Sequence, residues 1–157
     1  YNIVLNEWDY GLMARSAWIN QSVLGAPIGA DPNTGYIYQH ETSTDADGQP
    51  MSSSFQTGYF AMSEADIKTF VDQVWPDMKW GYFGGTQNAQ VQITFYVADY
   101  PGQTPLVYGP YTMTQSTTYI TPRFRARLMA IEISSNDVGS FWRLGNIRYR
   151  AQSDGKF

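Results

Sequence analysis

Residues 121–133 read TPRFRARLMAIEI, and their period decides the fold. Arg123, Arg125 and Arg127 alternate with Phe124 and Ala126, and Met129, Ile131 and Ile133 carry the apolar alternation onward. A repeat of two belongs to a strand, because successive side chains of an extended chain point to opposite faces. The segment is therefore expected to be one long or broken strand over 117–133, with a row of guanidiniums on one face. Such a row needs anions opposite it, phosphates or carboxylates, which a planar guanidinium binds in a bidentate manner.

Outward from that stretch the same signal recurs. QVQITFYVA at 90–98 and the run over 140–151 read as strands in antiparallel sheets, as do 12–19, 35–41, 54–62 and 110–115. Turn formers separate them: GAPIGADPNTG, DADGQP, FGGTQN, DYPGQTP and SSNDVG. Short strands with such punctuation predict an all-β chain of antiparallel sheets, propeller-like or a β-sandwich, with at most one or two short helices. The segment SEADIKTFVDQVWPDM fits two forms. Ser63 is a good N-cap and Ile67, Phe70, Val71 and Val74 have helical spacing, yet Thr69, Val71 and Trp75 suit a strand. Pro76 is expected to end either one. The Gly/Gln/Asn stretch at 81–90 is the best internal boundary. It divides a propeller-like N-terminal β piece, 1–85, from a C-terminal β unit, 86–157, unless the two form one continuous domain.

Composition narrows the function. The chain has 157 residues, 16% of them aromatic and only 15% charged. That is a chain able to bury a core, with a surface suited to partners rather than to disorder. There is no cysteine, so disulfides, thiolate metal sites and cysteine nucleophiles are excluded. No apolar run reaches the ~20 residues of a membrane-spanning helix. The chain starts at Tyr1 rather than Met, which reads as a processed or excised part of something longer. Charge is segregated: residues 123–157 hold seven basic and three acidic residues, while 1–122 hold three basic and eleven acidic ones. The net charge of −4 argues against general nucleic-acid binding, so only the C-terminal patch could meet phosphates.

Catalytic chemistry is sparse. His40, the single histidine, stands beside Glu41 and reads as a structural His/Glu pair at a strand end, since zinc wants about four N or S ligands. Asp45 and Asp47 begin like a calcium loop, but its twelfth position is Gln56 instead of Glu, so a turn is the better reading, as for Asp31–Gly35. Gly84 and Gly85 lack the Lys-Ser and helix of a phosphate loop. Trp8, Trp18, Trp75, Trp80 and Trp142 could build a sugar platform, but large aromatics in a small β-protein are more often core. Trp142 is expected inside and Arg143 outside. The residues left for function are Arg123, Arg125, Arg127, Arg143, Arg148 and Arg150, read as an interface. The alternatives are a solvated face or internal bridges to Glu132, Asp137 and Asp154.

Several blocks resemble the C-terminal region of the packaged-DNA stabilisation, or tail-nozzle, proteins of short-tailed bacteriophages. They are MARSAWINQSVLGAPIGADPNTGYIYQHET, DADGQP, FQTGYFAM, VWPDM, QVQITFYVADYP and the ending RFRARLMAIEISSNDVGSFWRLGNIRYRAQSDGKF, together covering about residues 8–157. The ending is the most specific: an Arg-x-Arg-x-Arg strand, Gly-Ser-x-Trp-Arg-Leu-Gly-x-x-Arg, then Asp-Gly-Lys156, where such endings often carry Arg. A whole nozzle protein is far longer. The resemblance implies a non-enzymatic virion protein of the tail or head–tail connector with a propeller-like body and no cofactor. Copies of it would form a ring with other tail or portal proteins around the DNA exit channel. Contact with the passing DNA would be weak and non-specific at most. The competing reading is a carbohydrate-binding β-sandwich or receptor-binding module; a hydrolase trails both.

Overall fold

The computed structural model describes residues 3–156 apart from residues 5, 7, 9, 22–24, 65, 66 and 82–88. The chain is all-β, and among the described residues there is no helix. It forms two compact units, residues 1–42 and 43–157.

The first unit is a three-stranded antiparallel sheet in the order β1 (Ala17–Ile19), β2 (Ile28–Ala30), β3 (Ile37–Gln39). Its second turn is made by Asp31–Gly35. The Asp31 carboxylate accepts from Asn33 N–H at 2.7 Å, its carbonyl accepts from Gly35 N–H at 3.0 Å, and Gly35 takes φ 72°. This is the local bonding that makes an aspartate a turn former. The Asn33 N–H holds the Asp31 carboxyl below the usual range.

The second unit opens with a hairpin, β4 (Asp45–Ala46) and β5 (Gln49–Pro50). Both residues of its tip, Asp47 and Gly48, have positive φ, the Asp-Gly form whose twist matches that of the strands. The remaining strands are β6 (Ser53–Gln56), β7 (Phe60–Ala61), β8 (Ile67–Trp80), β9 (Gln90–Ala98), β10 (Leu106–Thr114), β11 (Phe124–Ala126), β12 (Leu128–Ser135) and β13 (Trp142–Lys156). They build a five-stranded antiparallel sheet, β10-β9-β12-β6 with β7 also on β12, and a three-stranded one, β11-β8-β13. The inward residues of both sheets meet in one core: Val71 and Val74 from β8, Val91, Ile93, Phe95 and Val97 from β9, Met129, Ile131 and Ile133 from β12, and Phe124 from β11. The unit is thus a sandwich of two antiparallel sheets. The boundary expected at 81–90 falls largely on residues 82–88, outside the described ones, and β8 before it pairs with β11 and β13 after it.

Two expectations about β8 change. The segment that fitted both helix and strand is a strand, because it lies between two partners and buries Thr69, Val71, Val74 and Pro76 on one face. Pro76 does not end it. Pro76 pairs with Ile147 beside a register shift, and past Val74 the side of β8 away from β13 has no neighbouring strand among the described residues. Sheet edges and bulges are where a residue without an N–H is tolerated.

The opening stretch is a broken strand with a purpose. β11 belongs to the three-stranded sheet and β12 to the five-stranded one, so the chain crosses between sheets at Arg127, a bend whose carbonyl accepts from Met62 N–H at 3.2 Å. The alternation slips by one residue at the corner: Phe124 and Ala126 of β11 are buried, Arg127 and Leu128 are both half-buried, and Met129, Ile131 and Ile133 of β12 are buried, so each strand sends its own phase into the shared core.

Candidate interface on the three-stranded sheet

Strand alternation sends one residue set inward and the other outward. On β13, Trp142, Leu144, Ile147 and Tyr149 pack against the core while Arg143, Arg148 and Arg150 are exposed. Gly145 and Asn146 are both exposed at a register shift, which is what keeps Ile147 on the inner face. On β8 the outward set is Phe70, Asp72, Gln73, Trp75, Asp77 and Lys79. Arg125 is exposed on β11 between the buried Phe124 and Ala126.

The three arginines of the opening stretch do not lie along one strand. Only Arg125 is inside β11. Arg123 precedes it with φ 52°, a left-handed conformation uncommon for a residue with a Cβ, and the half-buried Arg127 sits at the bend between sheets.

Arg125, Arg148 and Arg150, among the expected interface residues, are held by aspartates of the same chain. Arg125 binds Asp154 through the carboxylate at 2.8 Å and the carbonyl at 2.6 Å. Arg148 Nη2 donates to Asp77 Oδ1 at 2.6 Å. Arg150 makes a two-pronged contact with Asp72, Nε to Oδ1 at 2.7 Å and Nη2 to Oδ2. The Arg150 guanidinium holds the Asp72 carboxyl below its usual range, with Arg123 adding to the pull, and Asp72 in turn raises Arg150. Arg143 stands 5.5 Å from the centre of the Phe141 ring. Among the described residues neither Arg123 nor Arg143 has a carboxylate within ion-pair distance.

Of the acids expected to bridge, Asp154 does so, to Arg125. Glu132 instead accepts from Tyr96 Oη at 2.6 Å, and Asp137 from Gln90 Nε2 at 2.9 Å. The Glu132 bond, with partial burial, pushes the Tyr96 phenol up. Asp72 and Asp77 went unread as partners because they precede their arginines by 78 and 71 positions. Their signal is the alternation of β8, which places both on the outward side once strand pairing is known.

The other candidates resolve as structure. His40 does not pair with Glu41, whose φ of 59° turns the chain at that point. Its Nε2 accepts from Arg15 Nε at 3.0 Å, and its ring lies 4.7 Å from that of Trp18. Arg15 also stacks over Tyr38 at 4.6 Å and reaches Asp31 at 3.7 Å. Gly29 makes the room: a Cβ there would stand 2.8 Å from Arg15 Cδ and 3.1 Å from His40 Nε2. Asp45 and Asp47 form the hairpin, with Gly48 N–H donating to Asp45 Oδ1 at 3.0 Å. No three metal-ligating side chains converge among the described residues. Gly84 and Gly85 lie outside them.

The tryptophans are not the core. Trp8 and Trp18 are exposed; Trp75, Trp80 and Trp142 are half-buried, the last two packed on the margin of the core. The core is aliphatic with Phe95 and Phe124 at its centre, because residues of that size fill the space between two sheets without an N–H to satisfy. Among the described residues no helix is long and apolar enough to cross a membrane. No protein-family model matches the sequence, and no curated protein matches it.

Proposed function

We propose that this chain is a structural protein of a bacteriophage virion, part of the tail or head–tail connector, acting as a scaffold rather than an enzyme. In this reading copies of it form a ring around the DNA exit channel with other tail or portal proteins and help retain the packaged genome. The carrying observation is a one-sided charge distribution. The outer face of the β11-β8-β13 sheet holds more cations than its own acids bind, on a chain whose net charge is −4. The ending that most resembles the tail-nozzle proteins supplies β11, β12 and β13, and so most of those cations.

Electrostatics favours a protein neighbour over DNA. An acidic body repels a duplex along most of its surface, and a few arginines give DNA affinity that collapses with salt. The exposed Arg123, beside the Arg150–Asp72 pair, is the first contact expected to reach a carboxylate on the next subunit. A charge left unpaired in such a contact costs about 2–5 kcal/mol of association.

The test is sedimentation of the purified chain and its Arg123→Glu variant, each paired with a thermal melt. Wild type should form a closed homo-oligomer, while the variant should stay monomeric with its melting temperature nearly unchanged, since exposed charges contribute little to a fold. A wild-type chain that is monomeric at every concentration, or a variant that assembles normally, defeats the reading.

A further inference from the structure

We propose that the groove at the Trp75–Trp80 end of the three-stranded sheet binds an acidic saccharide, with its anionic group between Lys79 and Arg143 and a sugar ring on Trp75. This site stands on its own geometry and does not require ring assembly.

The groove is bordered by Trp75–Trp80 of β8, by Arg143–Gly145 and Arg148 of β13, and by Gln115, Thr117 and Thr118 after β10, and encloses about 620 Å³. That is within the range of small-molecule sites. Lys79 and Arg143 are register partners on adjacent strands. Directly opposed residues have Cβ atoms roughly 5 Å apart, and like charges so placed destabilise the pair. Both are exposed, and among the described residues neither has a carboxylate within ion-pair distance. Their treatment differs from that of Arg125, Arg148 and Arg150 on the same face, each of which has its own aspartate. A single carboxylate, sulfate or phosphate seated between them removes the repulsion and satisfies both.

The rest of the groove specifies what carries that anion. Trp75 is half-buried and its ring lies 6.1 Å from that of Tyr119, itself 46% exposed. A partly exposed aromatic ring such as that of Trp75, which borders the groove, suits the C–H face of a pyranose. Thr118 and Gln115 are exposed and offer hydroxyl and amide groups to sugar hydroxyls. Arg148, opposite Trp75, is already neutralised by Asp77, so the local surplus is confined to the Lys79–Arg143 pair. Trp75 and Lys79 are four residues apart on one strand, about 13 Å, a span of two or three sugar rings. Duplex DNA needs a wider run of cations than one opposed pair supplies.

The experiment applies the purified full chain to an array of uronate-, sialate- and sulfate-bearing oligosaccharides beside their neutral counterparts. The retained sugar is then titrated by tryptophan fluorescence and calorimetry. Binding should favour the acidic member of a pair by at least tenfold. Lys79→Gln with Arg143→Gln should remove that preference while leaving the melting temperature unchanged or higher. Trp75→Ala should abolish binding, and Trp75→Phe should keep most of it. Retention of no acidic sugar, equal binding of the neutral partner, or equal competition by inorganic sulfate or by a short DNA duplex each overturns the proposal.

Discussion

Phe95→Ala tests whether the two sheets of the second unit share a single core. Phe95 lies on β9, inside the five-stranded sheet, and is fully buried. Its ring centroid is 5.5 Å from that of Phe124, which belongs to the opposite sheet, and 6.1 Å from that of Tyr111 on β10. Truncating a buried Phe to Ala costs about 3–5 kcal/mol. An aromatic pair adds about 0.5–1.5 kcal/mol beyond area burial. The truncation removes two such ring pairs, one of them across the sandwich, so the cost should be about 4–5 kcal/mol. Urea unfolding followed by tryptophan fluorescence reads this directly, since Trp80 and Trp142 lie on the core margin. With a slope of about 1.5 kcal/mol/M, the midpoint should fall by about 3 M. Phe55→Ala is the control: Phe55 is 47% exposed on β6 and should shift the midpoint far less. A Phe95→Ala shift below about 1 M, or one no larger than that of Phe55→Ala, would show that the ring does not join the sheets.

Trp142→Ala should cost about 2–3 kcal/mol, below the range for a fully buried ring because Trp142 is half-buried at the core margin, whereas Arg143→Ala should stay within about 0.5 kcal/mol; chemical denaturation of the pair separates inner from outer face. Because Arg150 holds the Asp72 carboxyl below its ordinary value of 3.8, the contribution of this pair is complete above that pH and lost as pH falls through the lower folded value. Arg150→Gln should therefore flatten the fall of stability below about pH 4 while leaving its shape near neutrality unchanged, as read by melting temperature across pH; an unaltered acid limb refutes the coupling.

Much of the fold was legible because burial writes a period of two into the chain. The strand read at 90–98 is β9 to the residue, since Val91, Ile93, Phe95 and Val97 leave one phase available. The helix alternative for 63–75 survived in sequence because β8 slips phase once, after Val71: Val71 pairs with Ala151 and Gln73 with Arg150, leaving Asp72 as the extra residue. The slip brings Val71 and Val74, three apart, onto one face, which is also helical spacing. Interface reasoning was harder, because counting acids near the arginines in sequence ignores what pairing brings from β8. The charge segregation between residues 1–122 and 123–157 is offset in part by the ladder between β8 and β13, where Asp77 and Asp72 meet Arg148 and Arg150. The corner at Arg127 went unread although the sequence marks it, since the inward residues move from 124 and 126 to 129, 131 and 133, a one-residue slip that a continuous strand would not show.

The register shifts of β13 bear on how the protein avoids its own kind. β13 is the outer strand of its sheet for fifteen residues, and a straight edge of that length is a template on which a second molecule can add a strand and seed a fibre. Shifts at Leu144/Ile147, Arg150/Ala151 and Ser153/Lys156 break its pairing, so the longest unbroken ladder is Ile147–Arg150. An incoming strand would meet an edge bulged at Gly145–Asn146 and again between Ser153 and Lys156, carrying Arg148 and Arg150 on the stretch between them. Removing one residue of the Gly145–Asn146 bulge would straighten this border, and amyloid-dye binding under mildly destabilising conditions should then rise.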